Sequence, residues 1–231
     1  MIAAIMQPTY LPWMGYFDLA DQADVFVFLD TVAFSRQSWQ QRNRILAGGD
    51  VLWLTVPVRH ALGMPIREIE IDATRPWRRK HWGSLEQAYR RAEHWAELSG
   101  ILAPLYEREW RLLAELDVAG IRALAAQLGI ETEFVHASSL APPAGERDEA
   151  LVDICRQLGA TTYLSPAGAV AYLDSDERFS AAGIELRFHA YEHPTYPQWS
   201  AEFTSHLSVV DLLAHAGPAA LETIRSGRLP G

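Results

Sequence analysis

The chain has 231 residues, enough to bury a core without a disulfide or a structural metal. Its 20 Lys and Arg against 29 Asp and Glu give a net charge of −9, with acid spread along the chain, which disfavours a genomic nucleic acid or an anionic membrane as main partner. A single cysteine excludes an internal disulfide, and no apolar run is long enough for a membrane span, so a cytoplasmic protein is expected.

In chain order, IAAIM (2–6) is a short apolar run ended by Gln-Pro and is predicted as a buried strand. Gly15 to Ala23 is predicted as a helix burying Phe17, Leu19 and Ala20, and VFVFLD (25–30) as a second buried strand. Strand, loop, helix and strand in this order form a βαβ unit, whose crossover requires a parallel pair. Residues 35–60 read as extended, with VLWLTVPV (51–58) the clearest strand, and IREIEID (66–72) reads as another. From Trp77 to Leu128 the pattern is helical, through AYRRAEHWAELSGIL and LYEREWRLLAELDVAGIRALAAQLG, with Gly129 as the cap. TEFVHASSL (132–140) returns to strand, and APPAGE (141–146) has linker composition but is too short to divide the chain. RDEALVDICRQLGA (147–160) is an amphipathic helix, TTYLS (161–165) and GIELRFHAYEH (183–193) are strands, and FTSHLSVVDLLAHAG closes with a helix ended by Gly217. The expectation is one α/β domain over 1–231, with a Rossmann-like, mainly parallel sheet and a helical insertion at about 77–129.

Ligands of such sheets bind beyond the carboxyl ends of the strands. QPTYLPWMGY (7–16) follows the first strand, and its two prolines stiffen a loop that carries Gln7, Tyr10, Trp13 and Tyr16. W-x-G-Y lies where Rossmann-like nucleotidyltransferases carry H-x-G-H, but Trp13 and Tyr16 replace both phosphate-binding histidines. In SRQSWQQRNRI (35–45) a strand would put Arg42 and Arg44 on one face as a clamp for phosphate or carboxylate, with Trp39 on the other. WRRKHW (77–82) offers Lys80 and His81 to an anion or a proton. YEHPTYPQ (191–198) repeats the grammar of the first loop with Tyr196 and Gln198, and its His193 is the best general-base candidate. YLSPAG (163–168) adds Ser165 at a third strand end, without the G-x-S-x-G of a hydrolase elbow. Cys155 keeps the apolar rhythm of Leu151, Ile154 and Leu158 and reads as core. No phosphate loop, dinucleotide fingerprint or H-E-x-x-H occurs, so neither a cofactor nor a metal is expected.

These blocks together resemble the WbqC-like proteins. QPTYLPWMGYFDLADQADVFVFLD, SWQQRNRI, WLTVPV, KHW, LVDICRQLGATTYLSPAG, YEHPTYPQ and LSVVDLLAHAG come in order over nearly the whole chain, while Ala33, Ala214 and His215 depart from the family's more usual residues. That family is associated with O-antigen, polysaccharide and natural-product biosynthesis, and a glycine transferase role has been suggested for it. The resemblance implies amide-forming transfer of an activated acyl or aminoacyl group to an amine, such as an amino sugar or natural-product intermediate, from a donor that a carrier protein could present. For that chemistry His193 would take the proton, Tyr16 and Gln7 would donate to the oxyanion or substrate, and Arg42, Arg44 and Lys80 would hold phosphates. The alternatives are an ATP-dependent amide ligase on a nucleotidyltransferase-like frame and a non-catalytic sugar- or carrier-binding module.

Overall fold

A computed structural model describes residues 1–166, 168 and 176–229. Five parallel strands form the central sheet in the order β7-β2-β1-β8-β9: β1 Ile2–Met6, β2 Val25–Phe28, β7 Glu133–His136, β8 Thr162–Ser165 and β9 Glu185–Phe188. The chain winds outward from β1 through β2 to β7, then returns to the other side of β1 with β8 and β9. The order therefore reverses between β1 and β8, where the crevice of an open sheet lies.

Period-two alternation divides the core into two layers. Ala4, Phe26, Phe28 and Leu164 face α1 (Met14–Asp21), α4 (Leu113–Leu128), α7 (Val209–Ala216) and α8 (Ala220–Arg225). Ala3, Ile5, Val27 and Tyr163 face α5 (Asp148–Leu158) and α6 (Asp176–Ala181), and there Cys155 is buried. The fold is α/β and Rossmann-like, as the pattern predicts.

Between β2 and β7 the chain leaves the sheet. β3 (Arg42–Ala47) and β4 (Asp50–Thr55) make an antiparallel hairpin, β5 (Val58–Arg59) pairs with β6 (Glu70–Ile71), and α2 (Trp77–Tyr89) and α3 (Trp95–Glu107) precede α4. IREIEID is not one strand, because its buried isoleucines at 66, 69 and 71 break period two. A 3-10 turn at Ile66–Glu68 accommodates the first interval. The helical run 105–129 is likewise interrupted. Trp110 Nε1 donates to the Leu105 carbonyl, and Arg78 donates to the carbonyls of Glu107 and Arg108, so side chains end α3. Gly129 caps α4 in the left-handed region at φ 76°, where glycine has no Cβ penalty. The closing helix starts only at Val209, because Ser208 is its N-cap and Phe203–Leu207 lies outside it.

Two buried carboxylates anchor this frame. Asp18 of α1, fully buried, bonds His189 Nε2 at 2.7 Å and Arg228 Nε at 2.7 Å, which ties the edge of the sheet and the end of the chain to the first helix. Asp30, just after β2, accepts from the Ser138 amide and hydroxyl and pairs with His136, so it locks β2 to the segment after β7. Among the described residues, no helix is long and apolar enough to cross a membrane and no cluster could hold a metal ion.

Removing Asp18 leaves the buried His189 without its acceptor and leaves Arg228, half-buried, with Asp21 alone. Asp18→Ala is therefore expected to cost about 3 kcal/mol, read as a lower urea midpoint at unchanged slope. Burial alone would raise the Asp30 pKa, but the hydrogen bonds from His136 and Ser138 hold it below its ordinary value. A lowered carboxylate contributes stability that is present above the unfolded pKa of about 4 and is lost as pH falls through the folded value. Asp30→Asn is thus expected to flatten the acid limb of stability below about pH 4, measured by denaturation across pH.

Candidate active site at the sheet switch point

A cavity of about 440 Å³ opens beyond the carboxyl ends of β1 and β8. Gln7, Trp13 and Tyr16 of the first loop and helix reach it, together with Trp39, Gln40 and Asn43 from the hairpin side, Tyr163 and Pro166 from β8, and His206. A larger groove, about 1020 Å³, lies among β6, α2 and α3, but Arg78 and Arg111 there are committed to Glu109 and Glu70. The smaller cavity occupies the place where the strand order reverses, and it is taken as the site.

The first loop owes its path to Asn43. This buried amide donates to the carbonyls of Tyr10 at 3.1 Å and Leu11 at 2.8 Å, and its oxygen accepts from the Arg44 amide at 2.8 Å. Leu11 sits at φ 43°, a left-handed conformation that a branched side chain adopts only under such constraint. The Pro12 carbonyl then accepts from the Val209 amide, joining the loop to α7. Trp13 folds its indole over Gly15, so closely that a Cβ there would fall within the ring. His206 stacks on Trp13 with centroids 4.9 Å apart.

Gln7 has its polarity set through a relay. The Ser35 backbone N–H can only donate, so the Gln40 oxygen faces it, and Gln40 Nε2 donates to Gln7 Oε1 at 2.6 Å. Gln7 therefore keeps its Nε2 hydrogens for a ligand. Tyr16 lines the cavity but donates its hydroxyl to the Gln7 carbonyl at 3.2 Å; burial raises its pKa, and the phenol acts as a support for the loop.

His193 stacks on Trp13 and meets His206 at a tilt, yet both of its nitrogens are engaged. Nδ1 donates to the Pro194 carbonyl at 2.8 Å, and Nε2 accepts from the His206 amide at 3.0 Å. No lone pair is left to receive a substrate proton, which corrects the expected role. His206 is better placed. Its backbone is left-handed at φ 58°, its Nδ1 meets Ser205 Oγ at 2.8 Å, and no group among the described residues engages Nε2. Burial and the nearby Arg44 lower its pKa, so the ring is neutral at pH 7.

The other expected residues lie elsewhere for identifiable reasons. The Tyr10 hydroxyl is buried against His81 Nδ1 at 2.9 Å and the Tyr106 hydroxyl at 2.7 Å, and burial lowers the His81 pKa to about 4. That trio is a satisfied core network between the first loop and the helical insertion. Lys80 is exposed on α2, and Ser165 is fully buried at the end of β8; Ala167 of the same junction lies outside the described residues. Tyr196 and Gln198 both donate to Asp211 Oδ2, at 2.9 and 3.1 Å. Gln198 also pairs with Thr204 through both atoms of its amide, so this loop braces the segment that carries His206. His189 and His193 have the i, i+4 spacing of a helical ligand pair, but they follow a strand and part, one to Asp18 and one to Pro194.

Arg42 and Arg44 do share a face of β3. Arg42 Cζ lies 4.3 Å over the Trp53 ring, and Arg44 Cζ lies 5.6 Å from Trp39 and 5.7 Å from Trp53. Trp39 is on this same face, not the opposite one, because β3 begins only at Arg42 and residues 36–41 are turns without period two. Asn43, Gln40 and His206 are the residues that sequence reasoning did not single out. Asn43 alternates inward between the two outward arginines, which is a signal available in RNR, whereas His206 depends on a left-handed turn that no local pattern announces.

Asn43→Ala would strand the Tyr10 and Leu11 carbonyls and is expected to cost about 2–4 kcal/mol by urea denaturation. Gly15→Ala favours the helix by up to about 1 kcal/mol but must expel the indole, so near-constant stability with a lost Trp13 near-ultraviolet dichroism band is expected.

Comparison with known proteins shows the family to which the chain belongs. A model of the WbqC-like protein family matches residues 7–223, which contain all the cavity residues after Met6. The chain is 34% identical over 226 residues, 96% of each chain, to a Mycobacterium tuberculosis (strain ATCC 25618 / H37Rv) protein named "Uncharacterized protein Rv1507c". No solved structure matches it. With the family's span covering the loop, the hairpin and the closing helix alike, the chain belongs to the WbqC-like protein family.

Proposed function

We propose that this protein is an acyltransferase that forms an amide bond, moving an activated acyl group, glycyl among the options, onto an amine such as that of an amino sugar or natural-product intermediate. The observation that carries the reading is the pairing, in one cavity at the sheet's switch point, of a donor locked as a donor with a neutral imidazole. Gln7 Nε2 supplies the first and His206 Nε2 the second. Amide formation needs both.

The step balances without a cofactor. The amine nitrogen attacks the carbonyl carbon of a thioester or phosphate-linked acyl donor, and the carbonyl oxygen, gaining negative charge, accepts from Gln7 Nε2. As the C–N bond forms, the ammonium proton passes to His206 Nε2. The carbon–leaving-group bond then breaks, and His206 returns the proton to the leaving group. Trp13, packed against Gly15 and stacked on His206, lines the cavity and holds the His206 ring in place for the transfer.

Transfer of acetyl from acetyl-CoA to glucosamine, followed by thiol release, is a direct test. His206→Ala is expected to lower kcat by about 10²-fold or more, with the acid limb of the wild-type profile lying below the ordinary imidazole value of about 6.5. Amino-acid-dependent exchange of pyrophosphate into ATP separates the alternative. Exchange would make the protein an ATP-dependent ligase, and thiol release without it would support transfer from a preformed donor.

A further inference from the structure

The cavity and its rim differ in charge. Among its described lining residues not one Asp, Glu, Lys or Arg occurs, although the chain carries 49 such residues in 231. The polar groups that do reach it are uncharged: amides of Gln7, Gln40 and Asn43, hydroxyls of Thr9, Ser38, Tyr16 and Tyr163, and the His206 imidazole. A carboxylate or ammonium placed inside would lose water and gain no counter-charge from the described lining, which is unfavourable.

Charge gathers immediately outside. Trp39, which lines the cavity, lies 5.4 Å from Trp53, and Arg42 covers the Trp53 ring. Arg44 lies behind His206, donating to its carbonyl at 2.9 Å. In a chain of net charge −9, neither arginine has a carboxylate partner among the described residues, and no hydrogen bond from the Arg42 guanidinium is made to them. Trp39 and Trp53 remain 47% and 42% exposed, so the rim presents a tilted pair of rings, one covered by a forked cation, to solvent. Such an edge suits an anion carried on a flexible or planar arm, because Arg stacks on an indole and still offers its N–H fork.

We infer that the substrate is divided by charge across this boundary: an uncharged acyl or sugar head enters the cavity, and a phosphate-bearing tail is held outside on Arg42 and the Trp39–Trp53 pair. This rests on the transferase reading for the identity of the head but not for the division itself. It narrows that reading to neutral heads, and it excludes a free amino acid or a glycyl group with its ammonium as the species bound in the cavity. Two sources share the required chemistry, a coenzyme-A or carrier thioester and a nucleotide-linked sugar.

Tryptophan fluorescence titration of the full chain decides it, with acetyl-CoA, UDP-N-acetylglucosamine, the uncharged acetyl thioester of N-acetylcysteamine, glycyl-CoA and glycine as probes. One or both of the first two are expected to bind, and which of them does so identifies the source. Arg42→Ala is expected to weaken that binding about tenfold and to reduce its salt dependence, while leaving the uncharged thioester unchanged. Arg42→Lys should restore charge without the stacked fork and recover only part of the affinity. Because Arg42 is at the surface end of β3, loss of fold is checked by an unchanged urea midpoint. Glycine or glycyl-CoA binding more tightly than acetyl-CoA, equal affinity of the Arg42→Ala protein for the phosphate-bearing probes, or no binding of any probe would overturn the inference. Arg42-dependent binding without transfer would instead sink the transferase reading and leave the charge division standing.

Discussion

The site depends on one buried side chain. Asn43 presents one acceptor and two donors to three backbone groups, and by holding the Tyr10 and Leu11 carbonyls it forces Leu11 into a left-handed turn. A buried carbonyl left without a donor is costly, so the loop cannot relax to another course without abandoning two of them. From that turn follow the docking of Pro12 on α7, the placement of Trp13 over Gly15 and the stacking of His206 on Trp13. The prolines on either side reduce what the unfolded chain loses in adopting this path.

Carboxylates surround the site but do not enter it. Asp18, Asp30 and Asp211 are each sequestered by several donors, and each has at least one donor from an element distant in sequence. Asp211 accepts from Tyr89, Tyr196 and Gln198, and it thereby fixes the 196–204 loop that leads to His206. Acidic residues thus work as internal anchors, while the described lining of the candidate cavity carries neutral polar groups. In low dielectric such fixed dipoles interact strongly with charge that develops during a reaction, without the desolvation cost of resident ions.

Two histidines at the same wall illustrate how hydrogen bonding, rather than residue type, assigns a role. The rings of His193 and His206 lie 4.9 Å apart at a tilt, and burial lowers the pKa of both. Backbone groups occupy both nitrogens of His193, and one of them is the amide of His206 itself. One ring therefore serves as a positioning group for the other.

The centre of the sheet was legible in the sequence because its strands IAAIM, VFVF and TYLS are buried on both faces, so that their type does not depend on where they pack. The shared face of Arg42 and Arg44, the Gly129 cap and the importance of the first loop were also legible, since each follows from strand period, left-handed glycine or proline stiffness. Trp39, Tyr10 and His81 misled because an aromatic or histidine near a strand end reads the same whether it faces ligand or core. Only the antiparallel hairpin turned Trp39 toward the arginines, and only packing against α2 and α3 closed Tyr10 onto His81 and Tyr106. The choice of His206 over His193 was likewise tertiary. It rests on the turn that brings the His206 amide back onto His193 Nε2 while the adjacent Pro194 carbonyl takes Nδ1, and hydrogen bonds of that kind leave no periodic trace in the chain.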